Sequence, residues 1–164
     1  LENTFTAPSH ARVRFYTVPT QKPPKRLKID FVEDVLFTKP DIQKIDGVPV
    51  YAAKNIYVQK IMAIAGTRKE TDILGREMAS GRGESRDVLD IYFLSKKVAP
   101  LHTFLASVPP QQQRGMVQWY RSYSRQQFKL DLLDLNLYDQ NLDASAVIAY
   151  LDSEVNQFVK ETLR

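Results

Sequence analysis

The chain has 164 residues, 43% of them hydrophobic and 26% charged, with 23 Lys+Arg against 19 Asp+Glu for a net charge of +4. That balance belongs to a folded chain of one or two ordinary domains and excludes a wholly disordered one. There is no cysteine, and His10 and His102 are the only histidines; disulfides, cysteine-based zinc or iron–sulfur sites and thiol nucleophiles are therefore out, and any metal would be a hard ion on oxygen ligands, such as Mg²⁺.

No apolar run approaches the roughly 18 residues a membrane span needs. No signal-peptide pattern precedes Leu1, so a cytoplasmic location is expected, and a start on Leu rather than Met leads us to expect a fragment. Residues 10–18 (HARVRFYTV) alternate, with Val13, Phe15 and Thr17 one way and Arg12, Arg14 and Tyr16 the other, which predicts a half-buried strand. TQKPPK (20–25) reads as a turn. RLKIDFVED (26–34) alternates again, with Leu27, Ile29 and Phe31 on one face, so the two segments read as an antiparallel hairpin. Residues 35–47 read as loop, with KPD and DG as turn signals, and GVPVY (47–51) as a short edge strand.

From about Ala53 the period becomes helical. Tyr57, Ile61, Ile64 and Ala65 define an amphipathic helix over 53–65 that Gly66 ends. Residues 67–84 mix Gly75, Gly81 and Gly83 with many charges and read as a mobile, solvated connection. SRDVLDIYFLSKK (85–97) reads as a helix with Ser85 as N-cap, Asp87 in the first turn and Lys96–Lys97 at the last. LHTFLAS (101–107) predicts a short helix closed by Pro109–Pro110. Met116, Trp119, Tyr120 and Tyr123 share one helix face; interleaved with Arg114, Arg121 and Arg125 they suit either a core stripe or a base-stacking platform, and the core is the better reading. DLLDLNLYD (131–139) is ambiguous, and a stripe from Val147 to Leu163 predicts a helix over about 144–163. The fold class expected is α+β, with residues 1–97 as a mixed core and 98–164 as a helical region packing on it.

The common phosphate loops, GxxxxGK[ST] and GxGxxG, are absent, as is a GxSxG elbow. Carboxylates say more. Asp30 stands mid-strand, where an acid needs compensation, either a cross-strand pair with Arg12 or Arg14 or a bound Mg²⁺. Lys60 precedes the apolar Ile61–Met62 pair and either snorkels or projects into a cleft as a phosphate-binding charge. Asp87 and Asp90 are three apart on one helix face beside Arg86, as first-turn helix stabilisers or as part of a triphosphate site.

Taken in order, Lys28-Ile29-Asp30-Phe31, then Lys60-Ile61-Met62-Ala63-Ile64 with Arg68 beyond it, then Arg86-Asp87-Val88-Leu89-Asp90-Ile91-Tyr92-Phe93-Leu94 resemble the nucleotidyltransferase-like toxins of AbiE abortive-infection systems. The resemblance covers residues 10–97. It implies a partial polymerase-β-like nucleotidyltransferase core followed by a helical bundle. It also implies transfer of a nucleotide from an NTP, with Mg²⁺, to RNA such as tRNA, and a cognate antitoxin as partner. Carried over, Asp30 becomes a catalytic metal-site carboxylate, Lys60 a catalytic phosphate-binding lysine and Asp87 the acid of the last motif, with Arg86 and Asp90 supporting nucleotide binding. The family's first motif, a Gly-Gly or Gly-Ser turn with a D-x-D pair, is missing: Glu2 is the only acid before Asp30 and Gly47 the first glycine. A truncated enzyme, inactive alone, is therefore expected, with a catalytically inactive relative that binds nucleic acid or protein, or an unrelated α+β domain, as the competing readings.

Overall fold

The computed structural model describes residues 2–6, 12–19, 26–32, 39–66, 70–75, 77–78, 81–82, 84–135 and 142–162, with residues 2–32, 70, 77 and 78 described by their backbone alone. The chain forms two compact units, Leu1–Pro40 and Asp41–Arg164. The first holds a three-stranded antiparallel sheet in the order β1 (Glu2–Thr6), β2 (Arg12–Pro19), β3 (Arg26–Val32). The hairpin expected over 10–34 is β2–β3, and β1 adds a strand the alternation does not signal. Register places Asp30 opposite Phe15, while Arg14 stands opposite Phe31 and Arg12 opposite Thr6. Neither arginine thus occupies the cross-strand position of Asp30.

The second unit begins with the hairpin β4 (Ile42–Ile45)–β5 (Val48–Tyr51). Its turn is Asp46–Gly47, both at positive φ (51° and 79°), the backbone of a two-residue turn that suits the strand twist. Asp-Gly is read in sequence as a turn, but a strand on its N-terminal side was expected to be loop. All four residues of β4 are exposed, so no buried periodicity marks it.

Among the described residues six helices follow: α1 (Ala53–Ala65), α2 (Ser85–Lys97), α3 (Leu101–Ala106), α4 (Pro110–Ser122), α5 (Arg125–Asp134) and α6 (Ala144–Thr162). Between α1 and α2 lies a two-residue pair of strands, β6 (Glu70–Thr71) and β7 (Glu77–Met78). The architecture is α+β, as the sequence predicts. The helices share one core that runs across residue 97: α1 packs on α2 and α4, and α2 on α5 and α6. Tyr57, Ile61 and Ile64 of α1 are fully buried at i, i+4, i+7 beside Ile91, Leu101, Leu105, Met116, Phe128 and Leu151. Each such side chain contributes about 1.5–3 kcal/mol by burial.

Local chemistry explains the helix limits. Gly66, at φ 81°, ends α1 and returns its N–H to Met62. Pro110 occupies the first turn of α4, so the Pro109–Pro110 pair both closes α3 and opens the next helix. Gly115 lets α4 approach α1 closely, since a Cβ there would sit 2.7 Å from that of Ala65. Ser124 caps α5 by accepting the Gln127 N–H at 3.1 Å, which starts that helix six residues before the ambiguous segment 131–139. Among the described residues no helix is long and apolar enough to cross a membrane.

The core also holds polar groups. Tyr57 stacks on Phe104 with centroids 3.9 Å apart, and burial pushes its phenol well above the ordinary range. Among the described residues its hydroxyl has no hydrogen-bond partner of good geometry. Ser95 Oγ beside it is already shared between Tyr150 Oη at 2.8 Å and the Leu101 N–H at 2.9 Å. A buried, unpartnered hydroxyl costs about 1–3 kcal/mol, so Tyr57→Phe is expected to unfold at the same urea concentration as wild type or a higher one. A variant less stable by more than about 1 kcal/mol would show that the hydroxyl is satisfied.

Candidate functional site

The site is built at the junction of α1, α2 and the stretch 81–84. Asp87, third residue of α2, has a fully buried carboxylate. Both its oxygens are held by cations: Arg82 donates from Nε to Oδ2 at 3.0 Å and from Nη2 to Oδ1 at 3.1 Å, and Lys60 Nζ donates to Oδ1 at 3.3 Å. This is a bidentate guanidinium–carboxylate pair with an ammonium added. Lys60 also pairs with Asp90 Oδ2. Lys60, two turns along α1 from its start, thus meets Asp87 and Asp90, whose i, i+3 spacing sets both on one face of α2.

The burial is graded. Asp87 is 0% exposed, Lys60 24%, Asp90 42% and Arg82 45%. The acid lies beneath and both cations reach the surface above it. Charge within the cluster sums to zero, so burying Asp87 is compensated and each cation keeps an outward face for a further anion.

Arg82 gets there through a backbone contact. Its N–H donates to the Ala63 carbonyl at 3.0 Å. Gly81 lies against the end of α1 so closely that a Cβ would stand 2.0 Å from the Ile64 carbonyl oxygen. The expectation that 67–84 is a solvated connection is corrected here: residues 81 and 82 are laced to α1. Arg82 is the site residue that sequence reasoning missed. Its signal was available in the Gly-Arg pair of GRGES, a residue without a side chain ahead of a cation, but charge density in the segment masks it.

Other predicted residues are placed as follows. Arg86 is exposed and pairs with Glu84 at 2.5 Å, away from Asp87. Asp30 lies in β3 of the first unit, fixed only by its register opposite Phe15, and Arg68 lies outside the described residues. Ser85 is not the N-cap; Glu84 holds that position, and no side chain caps the helix. The Ser85 hydroxyl instead donates to Asp131 Oδ2, which leaves the Tyr123 hydroxyl to donate to Ser85 Oγ. The bonds from Ser85 and then Gln127 hold the Asp131 carboxyl below its ordinary value, while burial raises the Tyr123 phenol. This bridge ties the start of α2 to α5, on the same helix turn as Asp87.

The aromatic stripe is core. Met116, Trp119 and Tyr120 are buried. Arg125 is consumed structurally: it donates to the carbonyls of Tyr120 and Tyr123, pairs with Asp152 at 3.0 Å and lies 4.0 Å from the Tyr120 ring centre. His102 donates or accepts at Nδ1 to Glu154 at 2.7 Å, while its N–H donates to the same oxygen. It too is a partner within the helical core.

Mg²⁺ does not fit at Asp87. Both oxygens already face cations, and a metal there would have to displace Arg82 and Lys60. Among the described residues no group of three or more acidic or imidazole side chains could hold a metal ion. An anion, by contrast, suits the outer faces of Lys60 and Arg82.

No family model matches the sequence, and no curated protein matches it. Solved structures do. JHP933 from Helicobacter pylori superposes with a TM-score of 0.55 at 14% identity, over 98% of this chain and 63% of that one. A putative nucleotidyltransferase from Helicobacter pylori superposes with a TM-score of 0.53 at 14% identity, over 94% of this chain and 64% of that one. The chain spans a little under two thirds of the length of both. At that identity the likeness is one of fold: this chain shares an α+β fold with both structures.

Proposed function

We propose that the chain is the nucleotide-holding portion of a nucleotidyltransferase, in which Lys60 and Arg82 grip the phosphates of an NTP. The observation that carries this reading is the buried Asp87 carboxylate, which sets those two cations side by side at the surface. Phosphoryl-type transfer needs positioning and charge neutralisation more than covalent chemistry. Lys60 and Arg82 supply both for a triphosphate and for departing pyrophosphate. Asp87 is a positioning residue that fixes their direction. Asp90 is the group a phosphate displaces, since it is partly exposed and holds only Lys60. Asp30 would hold Mg²⁺, which when bound would neutralise phosphate charge.

In the full-length protein the acceptor is RNA such as tRNA, and the activity is that of the toxin of a toxin–antitoxin or abortive-infection system with a cognate antitoxin. The support for acceptor and biological role is the motif resemblance over residues 10–97. A second reading, a catalytically inactive relative, is favoured by the occupied oxygens of Asp87. Incubating the full-length protein with radiolabelled NTPs, Mg²⁺ and tRNA separates the two. Label is expected in RNA, at least about 100-fold less with Lys60→Ala. No incorporation with any NTP, or incorporation indifferent to Lys60, would overturn the enzymatic reading.

A further inference from the structure

Along α1 and α2 the charged cluster on Asp87 continues into an apolar end. The two helices run antiparallel: the Ala63 carbonyl, near the end of α1, accepts from Arg82 ahead of α2, whereas Lys60, one turn earlier, meets Asp87 and Asp90. One turn further in the same direction α1 presents Ile56, four residues before Lys60, and α2 presents Phe93, three residues after Asp90. Both are exposed, Ile56 by 39% and Phe93 by 41%. Arg82 and Lys60 thus lie at one end of this surface, and Ile56 and Phe93 at the other. Six residues, about 9 Å along the axis, separate Asp87 from Phe93.

Phe93 is held but not covered. Its ring meets that of Tyr92 edge-on, with centroids 5.3 Å apart, and Tyr92 meets Tyr150 in the same way at 5.4 Å. Among the described residues no ring is stacked on Phe93. The charges of α2 nearest to it are Asp90, engaged with Lys60, then Lys96, whose ammonium lies 3.7 Å from the Tyr150 ring centre, and the exposed Lys97. Two cations against one anion, beside a charge-balanced cluster, favour a ligand that carries negative charge. The order of groups asks for a flat apolar head joined to an anionic tail.

We infer that Phe93 and Ile56 form the base subsite for the NTP whose triphosphate Lys60 and Arg82 hold, with the base stacked on Phe93; the inference rests on the phosphate-gripping role proposed above. The ribose spans the distance between the two ends. Stacking uses the π-face that every base has, so the subsite favours nucleotides over bare polyphosphate and discriminates little among the four bases. A protein partner is the weaker occupant, because two side chains fall far short of the roughly 800 Å² that each partner of a stable protein interface buries.

The test is calorimetric titration of ATP and of inorganic tripolyphosphate, both without divalent ions, into the wild-type chain, Lys60→Ala, Phe93→Ala and Phe93→Trp. Tripolyphosphate carries no less charge than ATP, so tighter binding of ATP reports the nucleoside. Wild type and Phe93→Trp are expected to bind ATP about tenfold or more tighter than tripolyphosphate. Phe93→Ala is expected to lose that advantage and to keep the wild-type affinity for tripolyphosphate, which with unchanged circular dichroism confirms its fold. ATP bound by the wild type no more tightly than tripolyphosphate, or an advantage that survives Phe93→Ala, would overturn the base subsite and leave the phosphate site standing. Equal loss of both ligands in Phe93→Ala would overturn it too, since Phe93 would then be structural. Tripolyphosphate binding that is absent, or indifferent to Lys60→Ala, would overturn both readings. ATP binding indifferent to Phe93, alongside loss of a single-stranded oligoribonucleotide in Phe93→Ala, would assign the surface to RNA and end the inference.

Discussion

Replacing Lys60 and Arg82 together by alanine is expected to destabilise the second unit by roughly 3 to 5 kcal/mol, the cost of leaving a buried carboxylate without its cations. Asp87 is fully buried and, among the described residues, its carboxylate bonds run to those two side chains. The direction is then set by charge: Asp87→Asn should destabilise the wild type, where it strands two cations, and stabilise the double variant, where it removes an uncompensated anion. Urea unfolding of the four proteins closes this cycle. If Asp87→Asn costs the same in both backgrounds, the cluster is not coupled and Asp87 is an ordinary first-turn acid.

Gly81→Ala is expected to combine a stability loss with a loss of anion binding. A Cβ would lie 2.0 Å from the Ile64 oxygen and 2.3 Å from that of Ala63, both backbone atoms that cannot turn aside. The segment 81–82 must lift, which breaks the bond from Arg82 N–H to Ala63 and draws the guanidinium off Asp87. Overpacking of this kind costs about 1–3 kcal/mol. The distinguishing result is functional: Gly81→Ala should weaken phosphate binding as much as Arg82→Ala, and the two together no more than either alone. Normal binding in a folded Gly81→Ala protein would show that Arg82 reaches the site by another route.

The helices were legible wherever a stripe meets a common core. The 3.6-residue periods of 53–65 and 85–97 correspond residue for residue to α1 and α2, and the stripe from Val147 runs along α6. Asp-Gly marked its turn because only that backbone suits a two-residue hairpin. What escaped was structure without a buried period. β4 is exposed throughout, and α5 places a single fully buried side chain, Phe128, in the core, so its pattern carries no stripe. In the site, Lys60, Asp87 and Asp90 were legible from motif and spacing. Arg82 was not, because it is delivered by a glycine contact with a carbonyl 17 residues earlier, and hydropathy contains no record of backbone approach. Arg86 was drawn toward the site by sequence adjacency, yet successive helical residues diverge by about 100°, and it pairs with Glu84 instead.

The central claim is that Lys60 and Arg82 form one anion site on a buried carboxylate. Calorimetric titration of inorganic tripolyphosphate into the wild type, Lys60→Ala, Arg82→Ala and Asp90→Asn tests it most directly. Each alanine is expected to weaken binding about tenfold or more, the worth of a charge-assisted hydrogen bond, and Asp90→Asn to tighten it by freeing Lys60 from its competing partner. Affinity equal in wild type and both alanine variants, or weakened by Asp90→Asn, would contradict the account.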